Sequence, residues 1–282
     1  MKSIFLWLRM VLVFLLPIVL AVNKLDAQKV NISHNSTTLS IENRVKELLS
    51  QMTLEEKIEL LGGTGFETRA IKRLGIPELK MTDGALGVRW GQSTAFPCGT
   101  AMAASWDTTL IRRIGKAIAQ EAKAKGRDVL LGPNVNIARI PLNGRTFEAF
   151  GEDPYLTSEL AVSYIKGVQS ENVIATVKHF CCNNQEYNRA FINEIVDQRA
   201  LHEVYFPAFK AAVLKGHVLA VMAAYNKVNG TYCSENSYLL RTELEKKWGF
   251  KGLVMSDWGA VHSSIPTVNS GLDLEMPTGK YL

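Results

Sequence analysis

The sequence predicts an α/β protein of the (β/α)8 TIM-like barrel class, incomplete at its C-terminal end. Three observations carry that expectation. From Leu79 onward, short apolar runs alternate with amphipathic stretches, and strand-then-helix alternation implies a parallel sheet. The apolar runs lack polar alternation, as strands covered on both faces do. Polar residues gather just past the ends of those runs, the face where a parallel barrel carries its chemistry. A doubly wound open sheet shares these features and is the competing fold.

The N-terminus reads as an export signal. Lys2 and Arg9 precede the apolar run Met10 to Val22, and Ala27 before Gln28 suits cleavage. Residues 1–27 are therefore assigned as a signal peptide, and the product as exported, periplasmic or extracellular. A retained signal anchor is the alternative, but Arg9 and Pro17 interrupt a stretch already short of the roughly 20 residues a spanning helix needs. Residues 28–40 are polar and form a leader. Residues 41–282 form the barrel domain.

Within that domain, Ile41 to Leu61 has helical apolar spacing, and Thr53 with Glu56 makes a capping box for its second half. Strands are expected at Leu79–Thr82, Asp128–Leu131, Ile174–Lys178, Leu219–Ala224, Leu253–Ser256 and Leu272–Glu275. Helices are expected at Thr109–Lys125, Leu156–Ser170, Gln198–Lys215 and Tyr238–Trp248.

Composition bounds the function. Of 282 residues, 47% are hydrophobic and 21% charged, which is ordinary for a globular chain with a sizeable core. The net charge of +5 falls to +3 without residues 1–27. No dense Lys/Arg run with interleaved aromatics exists, so charge gives no support to nucleic-acid binding. Cys98, Cys181, Cys182 and Cys233 match no zinc or redox spacing. They read as mostly buried free thiols. His202-Glu203 lacks the second histidine of HExxH, and Gly62 to Gly65 has no following GK[ST]. No metal and no cofactor is expected. Asn31, Asn35 and Asn229 sit in N-x-S/T patterns.

Four motifs carry candidate chemistry. Lys251–Ala260, KGLVMSDWGA, delivers Asp257 to a strand end with Trp258 beside it. A carboxylate there can be aimed at a sugar's anomeric carbon, and an indole offers an apolar face to a pyranose. The same Asp also suits a helix N-cap. Lys178-His179-Phe180 ends another strand, and its cation-capable pair suits sugar hydroxyls or a structural ion pair. In Met81–Arg89, MTDGALGVR, Asp83 can accept two hydrogen bonds, though Asp-Gly is also a turn signal. In Gly144–Pro154, GRTFEAFGEDP, Arg145 supplies a planar fork of donors. Glu148, Glu152 and Asp153 nearby read equally as a charged surface turn.

Together TDGALGVR, GRTFEAFGEDP, KHFCCNNQEYNR, MAAYNKVNG, KGLVMSDWGA and GLDLEMP resemble glycoside hydrolase family 3, in the family's order, from about Ile41 to Pro277. The resemblance implies a retaining β-glycosidase, of the β-glucosidase or β-xylosidase type, acting on β-linked oligosaccharides or aryl glycosides. It implies Asp257 as the nucleophile. Asp83, Arg145, Lys178, His179 and Tyr225 match residues gripping the first sugar, and Trp258 matches a sugar platform. Single-domain members carry a PGHG-like loop after KHF. This chain has CCNNQEYNR there and resembles the multidomain branch, whose acid/base glutamate lies on a second domain. That residue is expected to be missing here. Glu245 stands where a basic residue is usual. Two other readings remain: an inactive sugar-binding fragment, and a lyase forming a Schiff base at Lys178.

Overall fold

The computed structural model describes residues 40–282. The expected signal peptide, the expected leader up to residue 39, and the sequons at Asn31 and Asn35 lie outside the described residues. Helix α1 (Ile41–Gln51) lies, except for its last residue, in a unit ending at Ser50, and none of its residues is buried. The second unit, Gln51–Leu282, holds everything that follows.

Helix α2 (Leu54–Glu59) begins with the expected capping box: Glu56 N donates to Thr53 Oγ1 at 3.2 Å, and Thr53 N donates to Glu56 Oε2 at 2.9 Å. The strands are β1 (Met81–Asp83), β2 (Val129–Leu131), β3 (Ile174–Phe180), β4 (Asn193–Glu194), β5 (Ala220–Ala223), β6 (Lys227–Val228), β7 (Thr231–Tyr232) and β8 (Leu253–Ser256). Five of them form one parallel sheet in the order β1-β2-β3-β5-β8. Strands β4, β6 and β7 make a small separate sheet, with an Asn229–Gly230 turn between β6 and β7. Both turn residues have positive φ, as a tight two-residue hairpin requires.

Two short segments close the five strands into a ring. Leu274 bridges Met255 of β8, and Glu275 bridges Gly62. The chain then turns at Thr64–Gly65, and Glu67 pairs with Lys80 just before β1. The expected strand Leu272–Glu275 thus contributes isolated rungs rather than a regular strand.

Side-chain packing distinguishes this ring from an open sheet. Met81, Val129, Leu131, Ala220, Met222, Met255, Leu274 and Met276 pack together as one core. Leu130, Ala175, Val177, Val221 and Val254 point the other way, into a larger core shared with the helices. Alternate residues of each strand therefore fill an enclosed interior, while their neighbours face a single layer of helices. A doubly wound sheet would place helices on both faces.

That helical layer includes α3 (Gly99–Ala104), α4 (Thr108–Ala124), α5 (Pro154–Gln169), α6 (Gln198–Ala200), α7 (Pro207–Leu214) and α8 (Ile265–Ser270). Asp107 caps α4 and Asp153 caps α5 through backbone N–H groups. The expected helix Gln198–Lys215 is split by a π-helical turn at Leu201–Tyr205, and Tyr238–Lys247 is π-helical throughout.

Helices α4 and α5 meet backbone to backbone. A Cβ added at Gly167 would lie 2.1 Å from Arg112 O, and one at Gly115 would lie 2.5 Å from Tyr164 O. Gly167→Ala must push the helices apart. We expect it to cost about 2–3 kcal/mol, read as a lower chemical-denaturation midpoint. An unchanged midpoint would contradict this packing.

Candidate active site

The ends of the strands open into a cleft of about 650 Å³. Asp83, Arg145, Lys178, His179, Tyr225, Asp257 and Trp258 all line it. Each comes from a strand end or the loop just beyond: β1, β2, β3, β5 and β8 in turn. Lys178 and His179 are neighbours joined by a cis peptide, and the ladder to β5 shifts register between Val177 and Phe180. Both side chains line the cleft.

The charges are matched pair by pair. Lys178 Nζ, almost wholly buried, lies 3.3 Å from Asp83 Oδ1. Arg89, which is exposed, lies 3.7 Å from the other Asp83 oxygen. Arg145 forks onto Glu148, donating from Nη2 at 2.6 Å and from Nε at 3.2 Å. Its Nη1 lies 3.7 Å from Glu186. Arg189 donates to Glu186 Oε2 at 2.5 Å and stacks 4.3 Å over the Tyr225 ring. Burial opposes the Arg145 charge, but Glu148, Glu186 and Asp257 outweigh it, and its pKa stays above the ordinary value.

Asp257 differs from the other cleft carboxylates. Its Oδ1 accepts from Trp258 N at 2.7 Å. Its Oδ2 is buried and has no hydrogen-bond donor. The nearest charged-type atom is His179 Nε2 at 3.6 Å. Burial pushes the Asp257 pKa above the usual aspartate value, while Lys178, the Trp258 N–H, Tyr225 and Arg145 pull it back. His179 is driven well below its ordinary pKa by burial first, then by Arg145, Lys178 and Arg189. Tyr225 is raised by burial and by the Asp257 charge, and its hydroxyl donates to the Trp258 carbonyl at 3.1 Å. The Trp258 ring is held by its Nε1–H on Gly65 O at 3.0 Å, and it packs on Phe66 at 4.8 Å between centroids.

Several cleft residues were not singled out from the sequence. Phe66, Arg89, Glu148, Arg189 and Met222 also line it. Asn136 stands behind His179, bonded to it at three points. The paired asparagines of Pro133-Asn134-Val135-Asn136, directly after β2, were the available signal. Of the three acids that read equally as a charged surface turn, Glu148 grips Arg145. Asp153 instead caps α5, and Glu152 is exposed.

Residues 21–277 match the profile of the glycosyl hydrolase family 3 N-terminal domain. The chain belongs to glycoside hydrolase family 3. It is 52% identical over 241 residues to a β-glucosidase of Rhizobium radiobacter, covering 83% of this chain and 30% of that protein. A thermostable β-glucosidase B of Acetivibrio thermocellus is 49% identical over 248 residues, with 83% and 33% covered. The structure of β-glucosidase 3B from Thermotoga neapolitana in complex with α-D-glucose superposes with a TM-score of 0.80 at 43% identity, over 83% of this chain and 36% of that one. The family 3 barrel described here thus spans about a third of the length of these relatives.

Proposed function

We propose that this chain is the nucleophile-bearing barrel of a retaining, exo-acting β-glycosidase of the β-glucosidase type. One observation carries the reading. Among the cleft carboxylates, Asp257 alone presents a buried oxygen with no donor and no paired cation in direct contact. An oxygen so exposed electronically is available to attack. In this reading Oδ2 bonds to the anomeric carbon, and the leaving oxygen departs with the electron pair of the broken bond. Water then cleaves the glycosyl ester and restores the carboxylate, so the two inversions retain configuration.

The surrounding groups fit a neutral, hydroxyl-rich ring. Asp83 accepts from hydroxyls while Lys178 and Arg145 donate, and Trp258 offers the sugar an apolar face. Asp83 and Glu148 are each engaged by a cation, which leaves neither to protonate a leaving oxygen. We place the acid/base outside the described residues, as the resemblance to multidomain members implies. Poor leaving groups then lose the ~100–10,000-fold that a general acid supplies, while activated aryl glycosides still react. Export of the mature protein through residues 1–27 belongs to the same reading. The glucose in the Thermotoga neapolitana structure makes glucose the first sugar to test.

A 2-deoxy-2-fluoro-β-glucoside with a dinitrophenolate leaving group should release one phenolate per chain and leave one fluoroglucosyl group on the Asp257 peptide. Folded protein without that adduct rejects the proposal. Trapping of Lys178 by borohydride with a keto substrate would favour the lyase instead.

A further inference from the structure

The protonation state of His179 can be read from its partner on the far side. His179 N donates to Asn136 Oδ1 at 3.0 Å. A backbone N–H only donates, so that Asn136 atom is the oxygen of the amide. The other end agrees, because Asn136 Nδ2 donates to the His179 carbonyl at 2.9 Å. The same oxygen lies 2.9 Å from His179 Nδ1. An amide oxygen has no proton to give, so Nδ1 carries the hydrogen. In the neutral ring Nε2 is then bare, and its lone pair faces the cleft 3.6 Å from Asp257 Oδ2. That oxygen is itself an acceptor without a donor. Two acceptors thus stand side by side at the point where the sugar is to react.

We infer that Asn136 is a positioning residue that locks His179 in its Nδ1–H tautomer, so that His179 holds the substrate through a hydroxyl donating to Nε2. The substrate part of this rests on the glycosidase reading of the cleft; the tautomer does not. Asn136 is itself fixed, since its N–H donates to Asn134 Oδ1 at 3.0 Å. The charged groups facing the ring are Lys178, Arg145 and Arg189, which oppose an imidazolium, and Asp257, which favours one. Burial sides with the three cations. A hydroxyl that gives its proton to Nε2 keeps its lone pairs free for Lys178 or Arg145. A fluorine or hydrogen at that sugar position cannot donate and loses the contact entirely.

The test is long-range ¹H–¹⁵N correlation on the full chain with ¹⁵N-labelled histidine, with His179→Gln identifying the signal among the five histidines. His179 should be neutral with Nδ1 protonated near neutral pH. A proton on Nε2, alone or with Nδ1, overturns the inference. Asn136→Ala should move the proton to Nε2 and slow Asp257 labelling roughly tenfold, the worth of one well-placed hydrogen bond. A folded Asn136→Ala chain with an unchanged tautomer also overturns it. Asn136→Asp keeps the acceptor and should retain the proton on Nδ1, so a folding failure of the alanine variant leaves the question answerable. A bare Nε2 in a chain whose Asp257 takes no label would sink the glycosidase reading and leave the tautomer standing.

Discussion

Asp257→Asn should abolish labelling by the activated fluoroglucoside and, at neutral pH, raise the melting temperature of the chain. Loss of the attacking oxygen costs on the order of 10⁴-fold or more, as for other nucleophiles removed singly. The gain in stability follows from burial. The folded Asp257 carboxyl has its pKa above the unfolded value of 3.8, chiefly through desolvation. It therefore binds its proton more tightly when folded. Stability falls as pH rises from 3.8 through the folded pKa, and the full cost is present above it. An amide carries no such cost. It can also donate to the bare Nε2 of His179, converting two facing acceptors into a hydrogen bond. The difference in melting temperature between variant and wild type should shrink as pH is lowered through that interval. A variant that melts lower than wild type at neutral pH, or still takes the label, contradicts the role given to Asp257.

What the sequence revealed, and what it hid, divides by physical range. Asp83, Lys178, His179, Tyr225 and Asp257 were legible because each directly follows an apolar run, and parallel strands bring such positions to one face. The Thr53–Glu56 box was legible because its partners are three residues apart. Asn136 was missed because its importance lies in a partner 43 residues away. The Glu186 contact to Arg145 was missed for a related reason, since it needs two loops to fold together. Phe66 and the closure of the ring by Gly62 to Glu67 left no strand pattern, because that segment turns within a few residues and supplies single rungs. The π-helical stretches at Leu201–Tyr205 and Tyr238–Lys247 keep an apolar spacing too close to that of an α-helix to tell apart.

The second large effect belongs to Lys178. It is buried, it pairs with Asp83, and it is the first of the groups that favour the ionised form of Asp257. Lys178→Gln removes that charge, so the Asp257 pKa rises further. A nucleophile must be ionised to attack, and the acidic limb of the labelling profile should therefore move to higher pH. Near neutral pH the rate should fall about 10²–10³-fold, the usual loss for one preorganised donor in a water-poor site. Stability should change less. Asp83 is a third exposed and keeps Arg89 at 3.7 Å, so the broken pair costs about 1 kcal/mol, near the limit for partly exposed ion pairs. Lys178→Arg separates charge from fit. It keeps the cation but replaces a point donor with a planar fork, so the acidic limb should stay in place while the rate still drops. If the limb is unmoved in Lys178→Gln, Lys178 acts on the sugar through its own contacts and those of Asp83, and the field at Asp257 is set by Arg145 and the Trp258 N–H instead.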